Sequence, residues 1–126
     1  MDKLDPLNHK KYLFYDLESL IDPLKQADLA ITSGGNTHFD RLCSGVPGIV
    51  VNQLLHQTET SQKVMDYDAT LDLGYYKYVS EQNLLNQFDN LMLNKSSRKK
   101  MSEKGKSLVD GKGLYRVSEI IVDACK

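Results

Sequence analysis

The sequence predicts an α/β domain built on a short parallel sheet of about four strands, and three observations carry that prediction. Two runs, "DLAIT" at 28–32 and "PGIVVN" at 47–52, are too short and too apolar to be anything but strands buried on both faces. Between them, Phe39, Leu42 and Cys43 fall at helical spacing, and Gly45 and Pro47 stop the helix. Strand and helix patterns alternate along the rest of the chain, which is the signature of a parallel sheet with helices on both faces.

Taken in order, residues 1–10 are polar, carry Pro6 and read as a linker. The aromatic run "KYLFY" at 11–15 has strand character. Asp16 offers an N-cap, with Glu18 in the first turn, for a helix to about Gln26 that Pro23 breaks or kinks. The strand at 28–32, the helix at 36–44 and the strand at 47–52 come next. A helix is expected at 58–67, and the alternating "ATLDL" at 69–73 predicts a strand near a sheet edge. Ser80 opens the clearest helix, with Leu84, Leu85, Phe88, Leu91 and Met92 on one buried stripe. A basic helix at 97–109 is broken by "DGKG" at 110–113, and a last helix at 114–124 is expected to bury Val117, Ile120 and Ile121.

At 126 residues and 40% hydrophobic content the chain fits one domain with a modest core. Sixteen basic against seventeen acidic residues leave a formal charge of -1, which gives nucleic acid no electrostatic footprint. Cys43 and Cys125 lie far apart, with no Cys-x-x-Cys or Cys/His cluster, so neither a metal site nor a disulfide framework is indicated. No apolar stretch approaches the roughly 20 residues that span a bilayer, and the first residues have no signal-peptide core. A cytoplasmic protein with reduced thiols is the expectation.

The chemistry concentrates in "SGGNTHFDRL" at 33–42, where a glycine pair joins a strand to a helix. The first amides of a helix lack intrahelical partners and carry partial positive charge, so Ser33, Gly34 and Gly35 form a seat for phosphate, with Asn36 and Thr37 as added donors. A sharp turn whose glycines merely relax the backbone fits the same letters, since neither G-x-G-x-x-G nor the P-loop pattern is present. Asp40 lies over one turn into the helix, where a carboxylate receives the hydroxyls of a sugar attached to such a phosphate; a solvent-facing charge beside Arg41 is the alternative. His56 and Gln57 come after the next strand and open on the same rim. His9 and His38 read as structural. The basic run Arg98, Lys99, Lys100, Lys104 and Lys106 reads as a solvated helix face, and Tyr75, Tyr76 and Tyr78 as packing after an edge strand.

On these residues the chain resembles a known family. The runs "ADLAITSGGNTHFDRLCSGVPGIVV", "HQTETSQ" and "DGKGLYRV" are similar to the C-terminal region of bacterial UDP-sugar hydrolases of the pseudaminic acid pathway and the related spore-coat polysaccharide proteins. More distantly they resemble the second domain of the GlcNAc transferase that makes the lipid-linked peptidoglycan precursor. The family pattern of glycine pair, small residue, threonine, aromatic and acid-arginine is met by Gly34, Gly35, Asn36, Thr37, Phe39, Asp40 and Arg41. Asp40 stands where relatives carry the glutamate that grips the uridine ribose. His56 and Gln57 stand where the family has Asn-Gln, and Asp110, Gly111, Gly113, Arg116 and Val117 match the turn into its last helix.

The resemblance covers roughly residues 12–123 and implies a Rossmann-like three-layer αβα domain, the partial C-terminal half of a two-domain GT-B fold, occupying residues 11–126. It implies a UDP-sugar, with an amino sugar foremost, bound by Ser33, Gly34, Gly35, Asn36, Thr37, Asp40, His56 and Gln57, with no cofactor and no catalytic residue on this chain. By the same resemblance the half that carries the hydrolases' histidine base, and the first strand-helix units of this one, lie outside the sequence. That points to a nucleotide-sugar-binding domain of a hydrolase or glycosyltransferase of surface polysaccharide or nonulosonic acid biosynthesis, working with the missing half in cis or as a separate subunit. Two other readings stay open: a non-catalytic module attached to a sialic-acid-type sugar activation (cytidylyltransferase) enzyme, and a different α/β enzyme with a phosphate-bearing cofactor such as NAD or flavin. Self-association through an exposed sheet edge is a further expectation.

Overall fold

The computed structural model describes residues 10–126, so His9 and most of the expected linker lie outside the described residues. The elements run α1 (Ile21–Lys25), β1 (Ala30–Thr32), α2 (Asn36–Cys43), β2 (Gly48–Asn52), α3 (Leu55–Met65), β3 (Leu71–Tyr75), α4 (Glu81–Leu93), α5 (Lys95–Leu108) and α6 (Gly113–Ala124), with a 3-10 turn at Tyr76–Tyr78. The sheet has order β1-β2-β3 and is parallel throughout. This is a Rossmann-like β-α-β-α-β unit, as expected, with three strands where about four were predicted.

The absent strand is 11–15. It stays outside the sheet, with Tyr12, Leu13, Phe14 and Tyr15 exposed, because strand propensity without a neighbouring ladder leaves every backbone group unpaired. Asp16 caps no helix; its φ is +49°, and α1 starts five residues later with Pro23 inside its first turns, where a missing N–H costs nothing. β1 is an edge rather than a strand buried on both faces, and Ile31 is 48% exposed. β2 is the central strand and is buried along nearly its whole length. β3 is the other edge and begins two residues after the predicted start, Ala69 and Thr70 being buried ahead of it.

The helices follow their local signals more closely. Gly45, with φ +71°, ends α2 in the left-handed conformation that its place after the helix requires. Ser80 caps α4 by accepting a hydrogen bond from the Asn83 amide at 3.1 Å, and Asn94 caps α5 through the Ser97 amide at 3.0 Å. Of the expected α4 stripe, Leu91 is buried and Leu84 and Phe88 are half-buried, while Leu85 and Met92 remain exposed. The helix expected at 58–67 starts three residues earlier, which draws His56 and Gln57 into its first turn.

α2 and α3 cover one sheet face, the one presented by Gly48, Val50, Asn52 and Asp72, and α5 packs on α2. The apolar core, comprising Leu24, Leu42, Val46, Ile49, Val50, Ala69 and Leu91, is small. Directional polar contacts supplement it. Arg41 is wholly buried and reaches from α2 to the Val46 carbonyl (2.6 Å) and Thr70 Oγ1 (2.8 Å), with His38 Nδ1 at 3.3 Å and Thr70 in turn donating to the Gly48 carbonyl. Burial pulls the Arg41 guanidinium down to about 10. Burial, and then the Arg41 charge, push His38 down to about 4, so the imidazole is neutral and accepts from the guanidinium at Nδ1. The structural reading of His38 agrees with this placement.

α6 departs most from expectation. Val117, Ile120 and Ile121 were expected inside, yet all three are exposed, Ile120 at 68%, and every residue of the helix lies at the surface. Its apolar periodicity is real, but no other described element packs against it closely.

With His38 held neutral in the fold and free to protonate near 6.5 when unfolded, stability is complete above that pH and falls as pH drops from about 6.5 to about 4, by on the order of 3 kcal/mol. Urea denaturation across that window should show the decline, and His38→Asn, which keeps an acceptor for Arg41 but does not titrate, should flatten it. Ile121→Glu should change the unfolding free energy by no more than about 0.5 kcal/mol, since α6 adds nothing to the core of this chain; a loss of about 2 kcal/mol or more would show that the helix is packed in solution.

Candidate functional site

In a parallel sheet the loops that leave the carboxyl ends of the strands meet at one rim, and ligand sites gather there. The β1–α2 turn, the start of α3 and the residues after β3 converge on that rim. They border an open groove of about 560 Å³ that runs past Ile31 and Val51, between Ser33 and Leu54 on one side and Tyr76 on the other.

The glycine turn borders this groove through Ser33. Gly35 is the N-cap of α2 and supplies no side chain, so the cap is open; the first helical bond runs from the His38 amide to the Gly35 carbonyl at 3.0 Å. No partner for the amides of Gly35, Asn36 and Thr37 is found among the described residues. Three adjacent N–H groups at the positive end of a helix form an anion-accepting surface.

Gln57 completes it. Its Oε1 accepts from Ser33 Oγ (2.8 Å) and from the Leu54 amide (3.3 Å); because a backbone N–H is only a donor, this fixes which way the side-chain amide faces. Nε2 is therefore turned to the turn and lies 3.2 Å from where a Cβ on Gly35 would sit. Early initiation of α3 puts the side chain there, so the helix boundary that differs from expectation is the one that completes the corner.

The inner side of the turn is closed. Gly34 is buried, and a Cβ added to it would lie 2.1 Å from Asn52 Oδ1 and 3.1 Å from Gln57 Cβ. Gly34 is needed for close approach rather than for a positive φ. Asn52 ends β2 fully buried, and its Nδ2 donates to Ser61 Oγ (2.8 Å) and Asp72 Oδ1 (3.0 Å).

The structure thus brings Ser33, Gly34, Gly35, Asn36, Thr37 and Gln57 together. Asp40 lies one turn along α2 from Asn36, exposed and on the same helix face, and forms no side-chain hydrogen bond or ion pair among the described residues. Arg41 beside it points into the core, which excludes an Asp40–Arg41 pair. His56 is exposed and makes no hydrogen bond to any of the other seven. Tyr75 stacks edge-to-face with Tyr76 and Tyr78, as packing after an edge strand predicts, while Tyr76 also walls the groove. Sequence reasoning missed Asn52, Ser61 and Asp72. Their only signal was a polar residue closing the apolar run "GIVVN" and another inside "ATLDL".

The sequence model of the glycosyltransferase family 28 C-terminal domain matches residues 5–114. The chain belongs to that family. The family-28 chain is also 40% identical over 100 residues to the spore coat polysaccharide biosynthesis protein SpsG of Bacillus subtilis (strain 168), a stretch that covers 79% of this chain and 30% of SpsG. It therefore spans less than a third of that relative. No solved structure matches it significantly. No helix among the described residues is long and apolar enough to cross a membrane.

Gly34→Ala should destabilise the domain by roughly 1–3 kcal/mol, since Asn52 is held by two hydrogen bonds and does not yield to a methyl group. A thermal unfolding midpoint equal to that of the parent chain would show the corner to be looser than described.

Proposed function

We propose that this chain is a nucleotide-sugar-binding domain of a hydrolase or glycosyltransferase of surface polysaccharide or nonulosonic acid biosynthesis, with a UDP-amino sugar as its ligand. The diphosphate lies on the amides of Gly35, Asn36 and Thr37, and Ser33 and Gln57 bound it on the sheet side. Asp40 stands four residues beyond Asn36, about 6 Å along the helix axis, within reach of the ribose hydroxyls of a nucleotide so seated. His56 is assigned to the rim. The observation that carries this reading is the row of unpartnered amides at the open cap of α2, at the carboxyl end of a parallel sheet.

Cleaving a sugar from a nucleotide diphosphate takes a base to activate the attacking hydroxyl and donors for charge on the leaving diphosphate. The corner supplies donors. No group in it is hydrogen-bonded as a base to an orienting partner, so the domain works with a second part that supplies one, in the same polypeptide or as a separate subunit. Support comes from SpsG, of which the matched stretch is 30%, and from the uncovered apolar side of α6. A cytoplasmic, nucleotide-sugar-handling protein is the corresponding location.

Amide chemical shifts of the full chain, followed during titration with UDP, NAD and FMN, test the site. UDP should perturb Gly35, Asn36 and Thr37 ahead of the other two ligands, and Asp40→Ala should weaken UDP about tenfold, the equivalent of one or two lost hydrogen bonds. Preferential binding of NAD or FMN would favour a cofactor-dependent enzyme instead. Absence of any response at the three amides would leave the role of a non-catalytic module.

A further inference from the structure

Behind the corner lies a carboxylate that the proposed site does not use. Asp72 on β3 accepts three hydrogen bonds, from Asn52 Nδ2 (3.0 Å) and the Gly74 amide (2.8 Å) at Oδ1, and from Ser61 Oγ (2.7 Å) at Oδ2. No lysine or arginine pairs with it among the described residues. A half-buried acid held only by neutral donors orients those donors, because it is an acceptor at every lone pair.

Two of these bonds bear on the glycine turn and the third on the residues after β3. Asn52 has to present Nδ2 to the carboxylate, so Oδ1 of the same amide packs beneath Gly34, where it also lies 3.1 Å from Ser61 Oγ. Ser61 holds the same orientation, accepting from Asn52 Nδ2 at 2.8 Å while giving its own proton to Asp72. The Gly74 amide is drawn back to Asp72 with φ +91°, and here the β2–β3 register shifts, Val50 pairing with Asp72 but Asn52 with Tyr75. The extra residue forms a bulge, and a bulge bends the strand and re-aims the residues beyond it. Those residues form the 3-10 turn that places Tyr76 on the groove.

We infer that Asp72 is a positioning residue of the proposed site, coupling the glycine turn on one wall to Tyr76 on the other. The inference rests on the nucleotide-sugar reading for its purpose, but the coupling itself is a property of the ligand-free chain. An asparagine at this position preserves it: the side-chain oxygen still accepts from Asn52 and Gly74, and the nitrogen donates to Ser61, whose proton turns to the Thr58 carbonyl 3.2 Å away.

Amide spectra and UDP titrations of the full chain, of Asp72→Ala and of Asp72→Asn test this. Without ligand, Asp72→Ala should shift the amides of Gly34, Gly35 and Tyr76 together, and Asp72→Asn should leave them near their original positions. UDP affinity should drop about tenfold in Asp72→Ala and stay within about threefold in Asp72→Asn, one hydrogen-bond equivalent separating the two. Unmoved amides in Asp72→Ala, or an Asp72→Asn variant as impaired as Asp72→Ala, overturns the inference. If UDP does not bind the parent chain, the nucleotide reading fails, and the ligand-free shifts still decide the coupling. Should Asp72→Ala not fold, Ser61→Ala is read in its place; it removes one donor from the same carboxylate, and unchanged Gly34 and Gly35 amides overturn the inference.

Discussion

β2 is buried along nearly its whole length, and at both of its ends polar groups sit where water does not reach. An unpartnered polar group in such a place costs more than a hydrogen bond contributes, so most of these groups are given a partner. At the start of the strand Arg41 and Thr70 close around the Gly48 and Val46 carbonyls. At its end Asn52, Ser61 and Asp72 satisfy one another. The apolar core is too small to dictate where α2 and α3 stand on the sheet to within a fraction of an ångström. Bonds of fixed length and direction do so.

These two clusters divide the domain along the strand axis. The Arg41 cluster leaves Arg41 Nε and His38 Nε2 without partners among the described residues, and it lies at the end of β2 opposite the groove. The Asn52 cluster lies under the glycine turn and is closed to solvent on that side, so only the outward amides stay open. Neighbouring residues on α2 serve both ends of this division. Successive side chains on a helix point about 100° apart, so Asp40 faces solvent on the Asn36 side while Arg41 enters the core.

The remaining surfaces carry more apolar area than the chain covers. The aromatic segment at 11–15, the edge strand β1 with Ile31, and the apolar residues of α6 are all exposed. The family-28 chain matches under a third of SpsG.

Much of this was legible in the sequence, and the boundary of legibility has a physical basis. Order of strands and helices, the Ser80 cap, the Gly45 stop and the place of the glycine turn all depend on residues adjacent in the chain, whose periodicity and turn chemistry speak for themselves. Whether 11–15 joins the sheet, whether Ile120 and Ile121 find a cover, and what stands beneath Gly34 depend on neighbours remote in sequence. A strand forms only where another strand offers its ladder, an apolar face is buried only where a second face meets it, and Asn52 turns one way only because Asp72, twenty residues on, waits beside it. Local pattern determined the elements and the place of the glycine turn; tertiary packing decided which faces are covered and which atoms that turn presents.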